Sequence, residues 1–515
     1  MITKSNKNIA DVVLGRVLLK SLHSLLFSRT TRKVIADQLR ALLPKRSLLG
    51  LRHFREVRFK PGRRLTAYLD VAVRGAAREG YRTRPIEINW RSTTDAEETA
   101  DLAEMQAEAV RRGVAAPFLR LMGDFPEWNM QVRVCPLDGR FTQLVRVSDP
   151  QHVRAMLAHA YASANASDQH PSNEYTVTFI RYRPGKRHVL RYDPVGGAQG
   201  EQVFAKLYIE DAERVYRPVR RASNRFYRER GAHVFRVAQG VADWLAEQGE
   251  GVHGLRPLAY VAEDAAVLYP RLGGVPLSDY ARRPSGVVAR CLKQAGAALS
   301  TLHHIPAALA GRPEPHDLEA EIRVIKHAAE KSHYIPGLLP QVRPAIEALL
   351  DRARELNERL PQEPPTFTHG DLKTEHLWVS AGGITVMDFD SSRPADPALD
   401  VGYFLADWQF LQAAYDPAGA EETYKSFLAG YAPGVPKERI LRARLYEALE
   451  LIKCVRRTQL FERDWASRVT GLVGRAEALM NDLQRTLGSP RRSLPVKPAI
   501  LPGGAEREME MNESA

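Results

Sequence analysis

The chain has 515 residues, 44% hydrophobic and 26% charged, the balance of a folded protein and too long for one hydrophobic core, so two or three domains are expected. Lys and Arg exceed Asp and Glu by 13, a surplus that favours anionic partners (nucleotide, phosphosugar, nucleic acid or an acidic membrane) without selecting one. Cys135, Cys291 and Cys454 stand far apart, which argues against a CxxC redox pair or zinc knuckle and fits a reducing cytoplasm.

Val13, Leu14, Val17, Leu18, Leu22, Leu25 and Leu26 recur at helical spacing beside Lys20, Arg29, Arg32 and Lys33, so residues 1–34 read as a basic amphipathic helix. Arg16, Lys20 and Arg29 interrupt the apolar run. No window therefore approaches the roughly 18 uncharged residues of a membrane span, and a secretory signal does not fit. The helix is expected to pack on the body of the protein, with peripheral contact to an anionic membrane as the alternative.

Residues 35–165 read as an α+β N-terminal domain. From Arg52 to Asp70 apolar and polar residues alternate around Pro61-Gly62, the pattern of two strands and a turn. Arg58, Pro61, Gly62 and Arg64 return as Arg181, Pro184, Gly185 and Arg187, an offset of 123 residues; this is either a degenerate copy of one hairpin or a common hairpin solution met twice. Asp95–Arg112 reads as a helix, capped by Thr93 or Thr94, with Glu97, Glu98 and Asp101 early and Arg111 and Arg112 late, as the helix dipole favours. Phe141–Val147 looks like a strand and Pro150–Ala162 like a helix, fading into the polar stretch SANASDQHPSN. A domain boundary is expected there, near residues 163–173.

From Glu174 three strands, YTVTFIRY, RHVLRYD and EQVFAKLYI, predict an antiparallel meander. A helix over Ala222–Gln248 and strands near Gly254–Tyr260 and Ala265–Tyr269 follow. Long helices are then expected near Gly286–His304, Asp317–Ser332, Pro340–Arg359, Pro397–Ala414, Glu421–Gly430, Lys437–Leu460 and Ala466–Leu487. A sheet-rich small lobe over residues 171–272 and a helix-rich large lobe over 273–487 have the outline of a kinase. The tail, 488–515, is rich in Pro, Gly and charge and is expected to be disordered and solvated.

Residues 366–408 carry the chemistry. An apolar strand ends at Asp388, 17 residues after the Asp371 of a His-Gly-Asp turn, which sets two carboxylates on neighbouring loops. Phosphoryl transfer needs one acid to receive or orient the acceptor hydroxyl and another to hold magnesium. Asp371 suits the first task and Asp388 the second.

HGDLKTEHL resembles the HGDxxxxN catalytic loop of the aminoglycoside phosphotransferase and choline kinase families, and VMDFD resembles their metal-binding segment. The resemblance implies an α+β, protein-kinase-like bilobal fold preceded by an additional α+β domain. It makes Asp371 the catalytic base, His369 the residue that steadies the loop, Asp388 the magnesium ligand and Asp390 an assistant to metal or loop. Asp400, in ADPALD, would tie the following helix. One position departs from the pattern: the family's Asn is His376 here. An imidazole can ligate a divalent metal, but magnesium prefers oxygen. The metal is then held through water, or mainly by Asp388 and phosphates, or the enzyme is weakened, with Glu375 a nearby oxygen donor.

The same resemblance assigns Lys206, in VFAKLY, to the nucleotide phosphates, with Glu229 as its helical partner and Glu213 as runner-up. No GxGxxG joins the first two small-lobe strands. The turn YRPGKRHV is expected to cover the phosphates instead, through Arg183, Lys186, Arg187 and the amides near Gly185; a solvated basic turn is the alternative. VLYPRLGGVPL resembles the hinge, where Tyr269 to Leu272 would meet the adenine edge and Gly273 and Gly274 let the chain turn.

These features imply transfer of the terminal phosphate of ATP, with Mg2+, to a hydroxyl of a small molecule by a cytoplasmic enzyme. The extra N-terminal region is similar to the maltokinase arrangement, so a sugar is the expected acceptor, and a cationic aminoglycoside suits this basic chain less well. Two other classes remain: a non-catalytic kinase-fold protein that binds nucleotide and scaffolds, and a basic protein associated with nucleic acid or membrane, for whose nucleic acid the sequence offers no firm support.

Overall fold

Alternation of period two organises the N-terminal region. In the computed structural model, which describes residues 26–60, 62–75, 80–91, 98–163, 174–196, 202–209, 230–282, 285–311, 315–331, 338–412 and 420–488, helix α1 (Arg29–Ala41) is capped by the Ser28 hydroxyl, which accepts the Thr31 amide at 3.0 Å. The expected hairpin follows as β1 (Leu48–Lys60) and β2 (Arg64–Arg74), with Gly62 at φ 74° in its turn. Strand β3 (Arg82–Arg91), helix α2 (Glu98–Arg111) and strands β4 (Met122–Phe125) and β5 (Met130–Val134) complete an antiparallel sheet of order β1-β2-β3-β5-β4. Most of the first amphipathic helix, the linker at 164–173, Glu213, Glu229 and the tail after Gly488 lie outside the described residues.

One face of this sheet is apolar, with Leu65, Ala67, Ile86, Ile88 and Val132 in the core. The other face is polar yet buried: Thr66, Asn89 and Gln131 lie in one cross-strand row, and Tyr68, Glu87 and Arg133 in the next. Apolar and polar residues alternate along β3 (Ile86 to Trp90) and β5 (Met130 to Val134), the period of two that marks a strand, although here the polar face is buried as well.

Phe141–Val147 is not a strand. It forms two short 3-10 turns, Thr142–Leu144 and Arg146–Ser148. The Leu144 amide bonds the Phe141 carbonyl at 2.9 Å and the Ser148 amide the Val145 carbonyl at 3.3 Å, so local bonds satisfy backbone groups that a strand would need a neighbour to pair. Helix α3 (Pro150–Ser163) follows as expected.

The small lobe is the predicted meander, with β6 (Tyr175–Arg183), β7 (Arg187–Pro194) and β8 (Val203–Leu207) leading past helix α4 (Arg230–Gln248) to β9 (Val252–Gly254), β10 (Ala259–Val261) and β11 (Ala266–Pro270). Its antiparallel sheet runs β10-β11-β8-β7-β6. The single strand expected over Gly254–Tyr260 is split at Pro257, which has no amide to give a ladder. Packing does not follow the linker: Phe141, Leu144, Val153, Leu157 and Tyr161 share one core with Tyr182, Leu190, Tyr192, Ala205 and Leu268.

The large lobe begins with β12 (Val275–Pro276) and continues through helices α5 (Ser285–Leu302), α6 (Leu318–Lys331) and α7 (Val342–Glu358) to β13 (Thr366–Thr368), β14 (Leu377–Ser380), β15 (Gly383–Val386) and β16 (Arg393–Ala395). Helices α8 (Ala398–Gln412), α9 (Ala420–Tyr431), α10 (Lys437–Cys454) and α11 (Trp465–Thr486) close it. Strand β9 pairs in parallel with β15, tying the lobes behind the site. Helix α8 is apolar nearly all round and buried, and it lies so close to α10 that a Cβ on Gly402 would sit 2.6 Å from the Glu447 amide nitrogen. Strand β1 touches both lobes: Phe54 packs against Phe461 with ring centroids 6.4 Å apart, and Glu56 pairs with Arg183 at 3.2 Å. Among the described residues no helix is long and apolar enough to cross a membrane.

Candidate active site

Strand β13 pairs with β16 and delivers His369, Gly370 and Asp371 into a turn only glycine permits: Gly370 has φ 73°, and a Cβ there would lie 2.3 Å from the Ser391 carbonyl oxygen. Asp400, fully buried at the start of α8, accepts the amides of His369 at 2.6 Å and Gly370 at 2.9 Å. It ties the turn to the helix behind it. The His369 ring donates from Nε2 to the Met387 carbonyl at 2.9 Å, which couples the Asp371 turn to the segment carrying Asp388. Burial, reinforced by the neighbouring His376, lowers the His369 pKa, so the ring is neutral and steadies the loop.

Both oxygens of Asp371 lie 2.7 Å from the Lys373 ammonium. Burial alone would raise this carboxyl's pKa, but Lys373, then His376 and Lys453, hold it well below the usual range. Lys373 was not among the residues singled out from the sequence, although its signal was present: two positions after Asp371 in extended backbone, φ −136° and ψ 159°, side chains return to one side. Nearby, the Thr374 amide and hydroxyl bond Asp407 at 2.8 and 2.7 Å. Lys453, on α10, lies 4.0 Å from the Tyr403 ring centroid and 2.7 Å from Glu450. Only the fold brings it near Asp371.

Asp388 follows β15 in the left-handed region, φ 69° and ψ 56°, a conformation that costs a non-glycine residue energy and clusters at functional sites. Lys206 is buried, 8% exposed, and its ammonium lies 2.7 Å from both Asp388 and Asp390. Tyr208 donates to Asp390 at 3.0 Å, while Arg187 approaches Asp388 at 3.5 Å and Asp390 at 3.9 Å. Burial would raise the Asp388 pKa; Lys206, His376 and Arg187 overturn that and press it far down. The structure thus brings Lys206, Arg187, Asp388 and Asp390 together, and the two carboxylates are the described ion-pair partners of Lys206.

His376 turns Nδ1 to the Asp371 carbonyl at 2.9 Å and presents Nε2 to Asp388 at 3.6 Å. It stacks on His369, with ring centroids 5.5 Å apart. Its position suits the missing Asn, but it offers nitrogen where the family pattern has oxygen. Glu375 stands 3.8 Å from the same nitrogen. Among the described residues no cluster of three or more His, Cys, Asp or Glu is arranged to hold a metal by itself. Magnesium characteristically takes one or two carboxylates and completes its shell with phosphate and water, and Asp388 with Asp390 fits that donor set.

The turn after β6 departs from expectation. The Gly185 amide, expected to face phosphate, donates to Asp138 at 2.7 Å, and Arg183 pairs with Glu56 at 3.2 Å. Of the residues expected to meet phosphate there, Arg187 is the one the structure shows facing Asp388. Tyr269 lies on β11 one residue before its end at Pro270, and half-buried Leu272 follows in the connection between lobes. Gly274, φ 91°, leaves no room for a Cβ, which would fall 2.3 Å from the Val379 carbonyl oxygen.

Residues 210–441 match the model of a family described as the phosphotransferase enzyme family. The match takes in the connection between lobes, the Asp371 turn and Asp388, and begins just after Lys206. No curated protein matches the chain. Among solved structures the chain is similar to a choline/ethanolamine kinase family protein from Mesorhizobium loti, at 16% identity over 60% of this chain and 91% of that one, TM-score 0.39. An aminoglycoside phosphotransferase from Streptomyces rimosus is similar at 17% identity over 58% and 98%, TM-score 0.37, and an ethanolamine kinase from Plasmodium vivax at 13% over 61% and 83%, TM-score 0.37. At such scores these likenesses add no argument to the family match. The match over residues 210–441 is thus to the phosphotransferase enzyme family, and it supports a phosphotransferase acting on hydroxyl groups.

Proposed function

We propose that the protein transfers the terminal phosphate of ATP to a hydroxyl of a sugar or sugar-like metabolite, with Asp371 as the base and Asp388 as the magnesium ligand. The observation that carries this reading is the convergence of Lys206 and Arg187 on Asp388, with ionised Asp371 on the adjoining turn and His369 Nε2 bonded to Met387 between them. Magnesium, held by Asp388 with Asp390 and phosphate oxygens, would neutralise charge on the transferring group.

The chain's own residues do the rest. The connection from Tyr269 to Leu272 would place the adenine, and Lys206 and Arg187 would pin the polyphosphate. The acceptor oxygen attacks the terminal phosphorus as the bond to the ADP oxygen breaks, and the hydroxyl proton passes to Asp371. A carboxylate held this far below neutrality is a weak base. Its first task is therefore to orient the hydroxyl, and it takes the proton late, as the new P–O bond forms.

The basic surplus of 13 charges and the added N-terminal domain support a sugar over a cationic aminoglycoside. A non-catalytic nucleotide-binding role is the second reading, favoured by the His376 nitrogen in the place of an oxygen ligand. Incubating the protein and Mg2+ with terminally labelled ATP and fractionated metabolite pools separates the two. A labelled product that disappears in Asp371→Ala supports the kinase; nucleotide binding without any labelled product supports the second reading.

A further inference from the structure

The loop Cys135–Phe141 of the N-terminal domain grips the turn that carries Arg187. Asp138 is 2% exposed, and one of its oxygens accepts both the Gly185 amide and the His188 ring, each at 2.7 Å. Because the acceptor is a carboxylate, His188 carries its proton on Nε2. The other Asp138 oxygen takes the Arg140 amide at 3.0 Å, and Arg140 reaches back with Nη1 to the Gly185 carbonyl, also at 3.0 Å. Leu137 accepts the Tyr182 hydroxyl at 2.8 Å, and Phe141 packs edge-on against His188 with centroids 4.5 Å apart.

Both backbone groups of Gly185 are thus held, and so is the side chain of His188. Arg187 stands between these anchors, and it is the residue that faces Asp388 and Asp390. A hairpin tip held only by its own strands would sway with the small lobe; this one is fastened from outside the kinase fold. No GxGxxG joins β6 to β7, so at this turn guanidinium placement has to substitute for a phosphate-enclosing glycine loop.

We propose that this loop is a working part of the nucleotide site, in which Asp138 and Arg140 are positioning residues that hold the Arg187 guanidinium against the terminal phosphates of the nucleotide. The proposal rests on the nucleotide reading given above. It makes the N-terminal domain a determinant of polyphosphate affinity, with no effect on the nucleoside.

The test uses the full chain and two calorimetric probes, adenosine and the Mg2+ complex of β,γ-imido-ATP. Arg140→Ala is expected to weaken imido-ATP about tenfold, the worth of one charge-assisted hydrogen bond, to leave adenosine affinity unchanged, and to be largely rescued by Arg140→Lys. In an Arg187→Ala background the further change Arg140→Ala is expected to cost nothing, since one acts through the other. Parallel weakening of both probes, an unchanged imido-ATP affinity, or additive losses in the double variant each overturn the proposal. Wild-type protein that binds neither probe overturns the nucleotide reading itself, and this inference with it.

Discussion

The Lys206 ammonium lies 2.7 Å from a carboxylate oxygen of Asp388 and equally close to Asp390, so one buried cation holds both acids of the candidate metal segment. A phosphate–metal complex entering the cleft must draw Lys206 partly away from these acids. Lys206→Ala removes the cation nearest both acids, leaving buried Asp390 and half-buried Asp388 with Arg187 more distant. It should lower kcat/KM at least hundredfold and destabilise the fold by about 3 kcal/mol. Lys206→Arg should not rescue turnover, because a forked guanidinium cannot reproduce a point charge between the two acids. Kinetics together with denaturant melts check this.

Lys373 sets the protonation of Asp371. Its loss leaves burial in place, so the Asp371 pKa moves up. The acid limb of kcat/KM should lie below about pH 4 in the wild type and shift upward in Lys373→Met. A limb that stays in place would show that Lys373 does not control the base.

His376 Nε2 stands 3.6 Å from Asp388 where the family pattern has an amide oxygen. His376→Asn should therefore reduce the Mg2+ concentration needed for half-maximal turnover severalfold, and wild type should be helped more by Mn2+ than the variant is. Metal titrations of both proteins measure this, and an unchanged Mg2+ requirement would remove His376 from the metal shell.

Glu321 illustrates how buried charge links stability to pH. Burial alone would raise its pKa, but Lys453, followed by His316 and Tyr403, lowers it from 4.5 to about 2. A depressed carboxyl stabilises the fold above its unfolded value and loses that contribution as pH falls through the folded one. The fall from 4.5 to about 2 corresponds to roughly 3 kcal/mol as an upper bound. Melting curves between pH 5 and about 2 should show this loss, and Glu321→Gln should flatten it.

Much of the site was legible because its signals are local. The His-Gly-Asp turn, the strand ending at Asp388 and the alternation around Lys206 each depend on a few consecutive residues, and the structure places all three together. Strands β3 and β5 were legible too, since Ile86 to Trp90 and Met130 to Val134 alternate apolar and polar residues, yet these short runs went unassigned. What escaped for physical reasons was non-local or ambiguous: Phe141–Val147 has apolar spacing that serves a 3-10 turn as well as a strand. Asp138, Arg140 and Lys453 lie far along the chain from the residues they meet, so no local pattern points from one to the other. Gly185 shows the same limit: its amide has the right turn conformation for an anion, and a carboxylate from another domain already occupies it.

Phosphorus NMR of ATP, Mg2+ and a panel of sugars, with wild type, Asp371→Asn and Asp388→Asn in parallel, tests the central claim most directly. The predicted result is a new phosphomonoester signal with matching ADP from the wild type alone. A signal of equal size from either variant, or release of inorganic phosphate with no phosphomonoester from any sugar, would contradict the assignment of Asp371 and Asp388 to transfer onto a sugar hydroxyl.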